Sequence, residues 1–219
     1  MVEDLVVNME GGQLEENSEK HAELLGIRIQ CNLKWSLQIE TLVRKLQTRL
    51  NGLEKLRWAM KMSKRKTIVE GVFNSVLCYC LPVFGGCNNA EIQMLQVQQS
   101  RAARLVLGMP PRTTRHLMLD KLGWLSVQQM ISYHTLLAIF RIRQTKEPED
   151  LACILTRENI TGHIRMKNME LGLYRESFIF RGAVSWNKLP LNLRKEVKIR
   201  NFKIGLRVWV KENITRFVD

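Results

Sequence analysis

The apolar residues between Ser36 and Met60 recur every three or four positions, and this spacing constrains the fold more than any other feature of the sequence. The stripe consists of Ile39, Leu42, Leu46, Leu53, Leu56 and Met60. Basic side chains lie mostly off it, so one face is predicted to pack while the opposite face is cationic. The pattern predicts a helix that begins with Ser36 as its N-cap and that bends or breaks near Asn51-Gly52.

Further helical segments follow, and cap signals bound several of them. Apolar residues at helical spacing predict a helix over Ser63–Cys80, which Pro82 is expected to stop. Asn88 followed by Glu91 resembles a capping box, and it predicts a helix that runs through Leu107. Gly108 and the two prolines after it are expected to end that helix.

The second half of the chain has the same helical character. Ser126 with Gln129 predicts another capped helix, which reaches about Gln144. Other helices are predicted to end at Gly123, to start at Pro148, and to span about Glu176–Asn187 and Asn201–Ile214. The stretch 157–172 has no clear period and predicts a long surface loop.

The N-terminal residues have a different pattern. Leu5–Met9 followed by Gly11-Gly12 predicts a strand and a turn, and Glu23–Gln30 predicts a second strand. The fold class is therefore mainly α, a multi-helix bundle with a short N-terminal β-hairpin. We divide the chain into a hairpin region (1–30), a basic helical region (31–108) and a C-terminal helical region (109–219).

Charge is distributed unevenly along the 219 residues, which carry a net charge of +13. The first 25 residues contain seven acidic residues and only Lys20 as a base. Residues 26–66 contain eleven Lys and Arg against Glu40 and Glu54. A polyanion, nucleic acid above all, is the partner that this imbalance favours. A solvated basic face that only maintains solubility is the plainer alternative, and acidic lipid is a weaker one because these segments contribute to a core.

No apolar run approaches the roughly 20 residues that a membrane span requires, and the acidic N-terminal residues do not resemble a signal peptide. Neither membrane insertion nor secretion is predicted. The five cysteines are thinly spread, and their number is odd. They are therefore expected to stay reduced in an intracellular compartment, the nucleus or the cytoplasm.

Catalytic motifs are missing from the sequence. It has no Gly-Lys-Ser/Thr phosphate loop, no Gly-x-Ser-x-Gly elbow and no carboxylate pair suited to two metal ions. Cys78, Cys80, Cys87 and His116 are residue types that bind zinc, but C-x-C is not the usual ligand spacing. Small residues at a buried helix end are the favoured interpretation of Cys78 and Cys80. No cofactor, metal or catalytic residue is predicted.

Several tryptophans neighbour basic residues, namely Trp35, Trp58, Trp186 and Trp209. Stacking on nucleic-acid bases is one interpretation of this arrangement. Core anchoring is the more common role of tryptophan in helical proteins, and Trp124 between Gly123 and Leu125 is expected to be such an anchor.

A series of short motifs occurs in one order along nearly the whole chain. They are Leu24-Leu25-Gly26-Ile27, Leu33-Lys34-Trp35, the basic leucine-striped helix, Tyr79-Cys80-Leu81-Pro82-Val83-Phe84-Gly85, Leu122-Gly123-Trp124-Leu125-Ser126-Val127 and Arg181-Gly182-Ala183-Val184-Ser185-Trp186-Asn187-Lys188-Leu189-Pro190. This series resembles the carboxy-terminal part of a non-LTR (LINE-type) retrotransposon reverse transcriptase.

The resemblance implies that Met9–Ile29 is the hairpin region near the primer grip. It implies that 35–80 form the thumb, which holds the template–primer duplex. The palm of that family carries metal-binding aspartates in an aromatic-x-Asp-Asp motif, and this sequence contains no Asp-Asp pair. The chain as it stands is therefore not expected to be an enzyme.

The main functional hypothesis is a fragment of such a protein that binds an RNA/DNA or DNA duplex through a basic helical face. The predicted contacts are Lys45, Arg49, Lys55, Arg57, Lys61, Lys64, Arg65, Lys66, Arg112 and Arg115. One alternative is a protein–protein interaction module that uses the Leu42–Met60 stripe. Another is that the hairpin, without the palm it should pack against, leaves the chain without a stable fold.

Overall fold

A computed structural model describes residues 21–55, 57–158, 163–165 and 172–214, apart from the side chains of Arg57 and Leu173. These residues are mainly helical and include a two-stranded antiparallel hairpin, which confirms the predicted fold class. The elements are β1 His21–Leu24, β2 Ile27–Gln30, α1 Ser36–Glu54, a 3-10 turn Arg57–Ala59, α2 Met62–Val69, a π-helical turn Glu70–Asn74, α3 Ser75–Leu77, α4 Leu81–Phe84, α5 Asn89–Leu107, α6 Arg115–Leu122, α7 Val127–Thr145, α8 Glu149–Leu155, α9 Gly172–Glu176, α10 Phe178–Asn187, α11 Leu191–Arg194 and α12 Ile199–Asn213.

The hairpin differs from the predicted one. His21 pairs with Gln30, and the two residues Leu25 and Gly26 form the turn, with φ angles of 51° and 77°. Two consecutive positive φ angles define the turn type that matches the twist of a two-residue hairpin. The prediction of one strand over Glu23–Gln30 was therefore wrong, because the Leu-Gly pair folds the segment back on itself. The predicted strand Leu5–Met9 lies outside the described residues.

Helix α1 buries four residues of the predicted stripe, Ile39, Leu42, Leu46 and Leu53. It continues through Gly52, so the predicted break comes two residues later, after Glu54. Ser36 is the first helical residue and not the N-cap, a position that Trp35 occupies. The Ser36 hydroxyl donates a hydrogen bond to the Gln30 side-chain oxygen (3.0 Å) instead of capping the helix. The start of α1 is thus fixed by the hairpin rather than by its own sequence.

The next predicted helix, Ser63–Cys80, consists of α2, the π-helical turn and α3 in direct succession. It ends before Pro82, because Cys80 has a left-handed backbone (φ 52°). Pro82 instead stands in the first turn of α4, where its missing N–H is not needed by the helix. The proline therefore opens a helix, contrary to the prediction that it stops one.

Both predicted capping boxes are confirmed. The Asn88 side chain accepts from the Glu91 backbone N–H (2.9 Å), and the Glu91 carboxylate accepts from the Asn88 backbone N–H (2.8 Å). Ser126 and Gln129 make the same reciprocal pair at the start of α7. As predicted, α5 ends at Gly108 and α6 ends at Gly123, and both glycines have a left-handed backbone.

The helices pack in two groups that share one continuous core. Helix α5 packs against α1, α2 and α6, while α7 packs against α4, α8, α10 and α12. Contacts between α5 and α7 join the groups, and buried apolar residues form a single cluster from Ile27 to Val210. Residues from both predicted helical regions, 31–108 and 109–219, therefore contribute to the same core.

A buried polar network holds the junction of α5 and α7. Gln96 donates to the side-chain oxygen of Gln99 (2.7 Å) and accepts from the backbone N–H of Val127 (2.9 Å). Gln99 donates to the carbonyl of Leu125 (2.8 Å). Buried amides are stabilising only when they are paired in this way, so the network fixes how the two groups meet.

The last segments agree with the predictions to within two residues at most boundaries. Pro148 is the N-cap residue of α8, and α10 and α12 match the two predicted C-terminal helices. Within the predicted long loop, Glu158 and Ile164 pair as an isolated antiparallel bridge. No helix in the described residues is long and apolar enough to cross a membrane.

Candidate nucleic-acid interface

One depression on the outer side of α1 collects four cations. It is lined by Arg28, Arg44, Lys45 and Arg49 together with the hydroxyl residues Thr41 and Thr48. We call these six residues the α1 basic surface. Two of the predicted contacts, Lys45 and Arg49, are thus brought together, and the structure adds two arginines to them.

The helical period produces this surface. The buried residues Leu42, Leu46 and Leu50 follow one face of α1. Because positions three and four apart share a face, Thr41, Lys45 and Thr48 recur on the outer side. The hairpin contributes Arg28, since β2 packs against α1.

Two of the four cations are tied to the fold. Arg28 donates to the Thr41 hydroxyl (3.3 Å) and lies 3.8 Å from a carboxylate oxygen of Glu23. Arg49 donates to the carbonyl of Val72 (2.8 Å), which belongs to the π-helical turn. These contacts orient the two guanidinium groups, and they use only some of the five N–H donors that each group carries. Arg44 and Lys45 are exposed to solvent.

The predicted contacts at the start of α2, including its N-cap residue Lys61, divide into two kinds. Lys61 and Lys64 are exposed, whereas Arg65 is half-buried. Lys66 donates to the carbonyl of Leu122 (3.0 Å) and lies 3.8 Å from the Glu70 carboxylate, so it links α2 to the end of α6. An amine held in this way is less available to a phosphate than the exposed lysines are.

The connection between α1 and α2 presents further exposed groups. Lys55 is exposed, and Trp58 in the 3-10 turn has 87% of its surface accessible. The Arg57 side chain is outside the described part of the structure. This connection lies beside the carboxyl third of α5, because Arg101 donates to Asn51 (3.0 Å) and pairs with Glu54 (2.9 Å).

Of the five tryptophans, only Trp58 is exposed. Trp124 is buried and donates its ring N–H to Glu70 (2.7 Å), which confirms the predicted core anchor. Trp186 is also buried, while Trp35 and Trp209 are partly buried and pack on the core. The base-stacking interpretation is thus best suited to Trp58.

The remaining predicted contacts, Arg112 and Arg115, lie apart from α1 in a second cavity. Arg104 of α5 lines the same cavity. Arg112 is exposed, and Arg104 and Arg115 are half-buried. Thr114 precedes α6, whose first turn contains no acidic residue.

Sequence reasoning missed Arg28, Arg44 and Arg104. Arg44 was detectable, since it neighbours Lys45 and lies one turn from Thr41 and Thr48. Arg28 gave no local signal, because only the packing of β2 on α1 brings it to its cavity. Arg104 shares a cavity with Arg112 and Arg115 because the chain turns back between α5 and α6.

The cysteines are free thiols in different environments. Cys31 and Cys153 are exposed, and Cys87 is buried. Burial, reinforced by the Glu91 carboxylate, raises the pKa of Cys87 to about 12, and burial raises the pKa of Cys78 to about 11. Among the described residues, no group of three His, Cys, Asp or Glu could hold a metal ion.

These environments predict selective thiol labelling. At pH 8 the exposed Cys31 and Cys153 are expected to react with a disulfide reagent. Cys78 is expected to react about a hundredfold more slowly than an ordinary thiol in water, because its pKa of about 11 leaves far less thiolate. Mass spectrometry of labelled peptides over time measures the difference. In denaturant all five thiols should react alike. Labelling of Cys87 at the rate of Cys31 in the folded protein would contradict the described core.

The chain matches no protein-family model, no curated protein and no solved structure. Fold and surface define a mainly helical protein with a concentrated basic face. The retrotransposon reverse transcriptase resemblance stays a hypothesis that rests on the ordered motifs.

Proposed function

We propose that the chain binds a nucleic-acid duplex, an RNA/DNA hybrid or DNA, through the α1 basic surface. The observation that carries the proposal is the convergence of Arg28, Arg44, Lys45 and Arg49 in one depression with two threonine hydroxyls. Arg, Lys and Thr side chains are among the groups that most often contact phosphate oxygens.

The surface fits a charged, extended ligand better than a compact one. Lys45 and Arg49 are about one turn apart along α1, so their Cα atoms are about 6 Å apart along the helix axis. A duplex carries one phosphate per roughly 1.7 Å of its axis, which lets several phosphates contact such a row. The side chains of this surface suit contacts with phosphates, which carry no sequence information directly. We therefore expect weak sequence preference.

The resemblance to non-LTR retrotransposon reverse transcriptases supports the same proposal independently of the charges. By that resemblance residues 35–80 correspond to the thumb, which holds a template–primer duplex in that family. The absence of Asp-Asp from the sequence argues against polymerase activity of the chain by itself. We infer a duplex-binding role for the chain and not a catalytic one.

The alternative interaction surface, the Leu42–Met60 stripe, gains no support from the described residues. Leu42, Leu46 and Leu53 are buried in the core of the chain itself, and Met60 is half-buried. A partner helix could reach them only by displacing packed residues. Leu56 of the stripe is outside the described residues.

Titration of a labelled RNA/DNA hybrid at a series of salt concentrations tests the proposal. If about four cations contact phosphates, the plot of log affinity against log salt has a slope of about −3.5. Affinity should then fall about a hundredfold between 50 and 200 mM salt. Fluorescence anisotropy measures both quantities.

A second hybrid of unrelated sequence is the control, and it should bind with an affinity within a few-fold of the first. Absence of binding at low salt would refute the proposal. So would tight binding that salt does not weaken.

A further inference from the structure

A cavity of about 260 Å³ lies between α7 and α10, next to the end of α4 and to α9. We call it the α7–α10 cavity. The described residues that line it include two arginines and neither an aspartate nor a glutamate. Its polar lining residues are Gln128, Ser132 and Thr135 of α7, Arg175 of α9, and Arg181 and Ser185 of α10.

Two of these side chains carry a buried polar atom without a hydrogen-bond partner in the described part of the chain. They are the Thr135 hydroxyl and the side-chain oxygen of Gln128. Thr135 is 2% exposed and lies against α10, since a Cβ on Gly182 would be 3.5 Å from its methyl carbon. A buried polar atom without a partner is destabilising, so two of them beside one cavity indicate a polar ligand there.

Arg181 supplies a positive charge that the fold holds in place. Its Nε–H donates to the carbonyl of Glu176 (2.8 Å), and Nη2 donates to the carbonyl of Pro82 (3.0 Å). These bonds use two of the five N–H donors of the guanidinium. Nη1 lies 3.2 Å from the position that a Cβ on Gly85 would take, and Gly85 lines the cavity, so Arg181 has a further donor group at the lining.

The charge balance of the cavity is positive. Burial lowers the pKa of Arg181, and the Glu176 carboxylate opposes that effect, but arginine stays protonated at neutral pH. The Glu176 carboxylate therefore offsets part of one charge. Arg175, which is exposed at the lining, adds a second positive charge.

We propose that the α7–α10 cavity binds a small hydroxylated anion, a carboxylate or a phosphate with a hydroxyl group on a neighbouring carbon. Guanidinium groups form charge-assisted hydrogen bonds with the oxygens of either anion. The Gln128 oxygen only accepts hydrogen bonds, so it requires a donor that a bare carboxylate lacks and a ligand hydroxyl supplies. Thr135 can donate to the anion or accept from the hydroxyl.

Size and position specify the ligand further. A volume of about 260 Å³ is below the range typical of drug-sized ligands, so a molecule of few atoms fits best. The inference does not rest on the proposed function, because no residue of the α1 basic surface lines this cavity.

Calorimetric titration of the full chain with five small molecules tests the inference. Glycerate and glycerol phosphate carry both an anionic group and hydroxyls. Propionate and ethyl phosphate carry only the anionic group, and glycerol carries only hydroxyls. Glycerate, glycerol phosphate or both should bind about tenfold more tightly than glycerol and than the matching hydroxyl-free anion, roughly the factor of one hydrogen bond. Tight binding of only one assigns the anionic group as carboxylate or phosphate.

Thr135→Val removes the hydroxyl and keeps a side chain of similar size. Because that hydroxyl has no partner in the described part of the chain, thermal stability should not fall, while binding should weaken about tenfold. Thr145→Val, at the other end of α7 and outside the lining, is the matched control and should bind like the wild type. Arg175→Gln should also weaken binding about tenfold, and Arg200→Gln, which removes the same charge from α12, should not.

Equal affinity for the hydroxylated anions and for their hydroxyl-free counterparts would overturn the inference. Absence of binding to both hydroxylated anions would do so as well. Unchanged affinity in Thr135→Val or in Arg175→Gln would show that any binding occurs elsewhere. Thr135→Val should bind the RNA/DNA hybrid like the wild type, so failure of this inference leaves the proposed function intact.

Discussion

Replacing Trp186 by alanine is expected to lower the free energy of unfolding by about 4 kcal/mol, the size typical for a fully buried tryptophan. Trp186 of α10 is 1% exposed and packs on Phe202 of α12, with ring centroids 5.9 Å apart. Phe202 in turn stacks on Phe140 of α7 at 4.1 Å. The guanidinium of Arg143 lies 5.0 Å from the tryptophan ring centre. Truncation would leave a cavity where three helices meet.

Two control variants separate burial from tryptophan chemistry. Trp58→Ala removes the same side chain from an 87% exposed position and should change stability by less than about 0.5 kcal/mol. Trp186→Phe keeps an aromatic ring, and it also removes a buried ring N–H that has no hydrogen-bond partner among the described residues. Trp186→Phe should therefore lower the free energy of unfolding by less than Trp186→Ala does.

Urea unfolding followed by circular dichroism measures all three variants. The wild-type chain should unfold in one sharp transition, since its core is continuous from Ile27 to Val210. A broad, non-cooperative transition would instead favour the alternative that the chain lacks a stable fold. Equal losses for Trp58→Ala and Trp186→Ala would contradict the described packing.

Local chemistry made the helix boundaries predictable. The reciprocal hydrogen bonds of a capping box need only residues three apart, so Asn88 with Glu91 and Ser126 with Gln129 were visible in the sequence. The leucine stripe of α1 was likewise visible, because burial of one face imposes a period of 3.6 residues.

The errors arose where tertiary contacts outweigh local preference. Leu25 takes a positive φ that leucine disfavours, and its carbonyl accepts a hydrogen bond from the Tyr79 hydroxyl (2.8 Å), 54 residues away. Ser36 loses its capping role to a bond with Gln30 of the hairpin. Neither partner can be identified from the neighbouring residues.

In the candidate site, too, the residues set by local sequence were predictable and those set by tertiary contacts were not. Lys45 and Arg49 were predictable as a cationic face because they belong to one helix. Arg28 reaches that face only through the packing of β2, and Arg104 reaches its pocket only through the return of the chain at α6. Lys66 had the right charge and position in sequence, but the carbonyl of Leu122 binds it.

Replacing Arg44 and Lys45 together by glutamine is expected to weaken duplex binding about a hundredfold at 50 mM salt. Each phosphate contact contributes close to one unit to the salt slope, so losing two should reduce the slope by about two. At 500 mM salt the loss should shrink to less than about twofold, because a slope difference of about two over a tenfold rise in salt offsets nearly the whole hundredfold loss. Anisotropy titrations of the hybrid at both salt concentrations measure the change.

The double variant Lys195→Gln and Arg200→Gln is its control, because it lowers the net charge by the same two units at exposed positions. Arg200 lies on α12, which packs on α7 in the other helix group. If affinity depends only on net charge, both double variants weaken binding equally, and the α1 basic surface is then no specific site. A loss confined to the Arg44 and Lys45 variant, steep in its dependence on salt, assigns the phosphate contacts to α1.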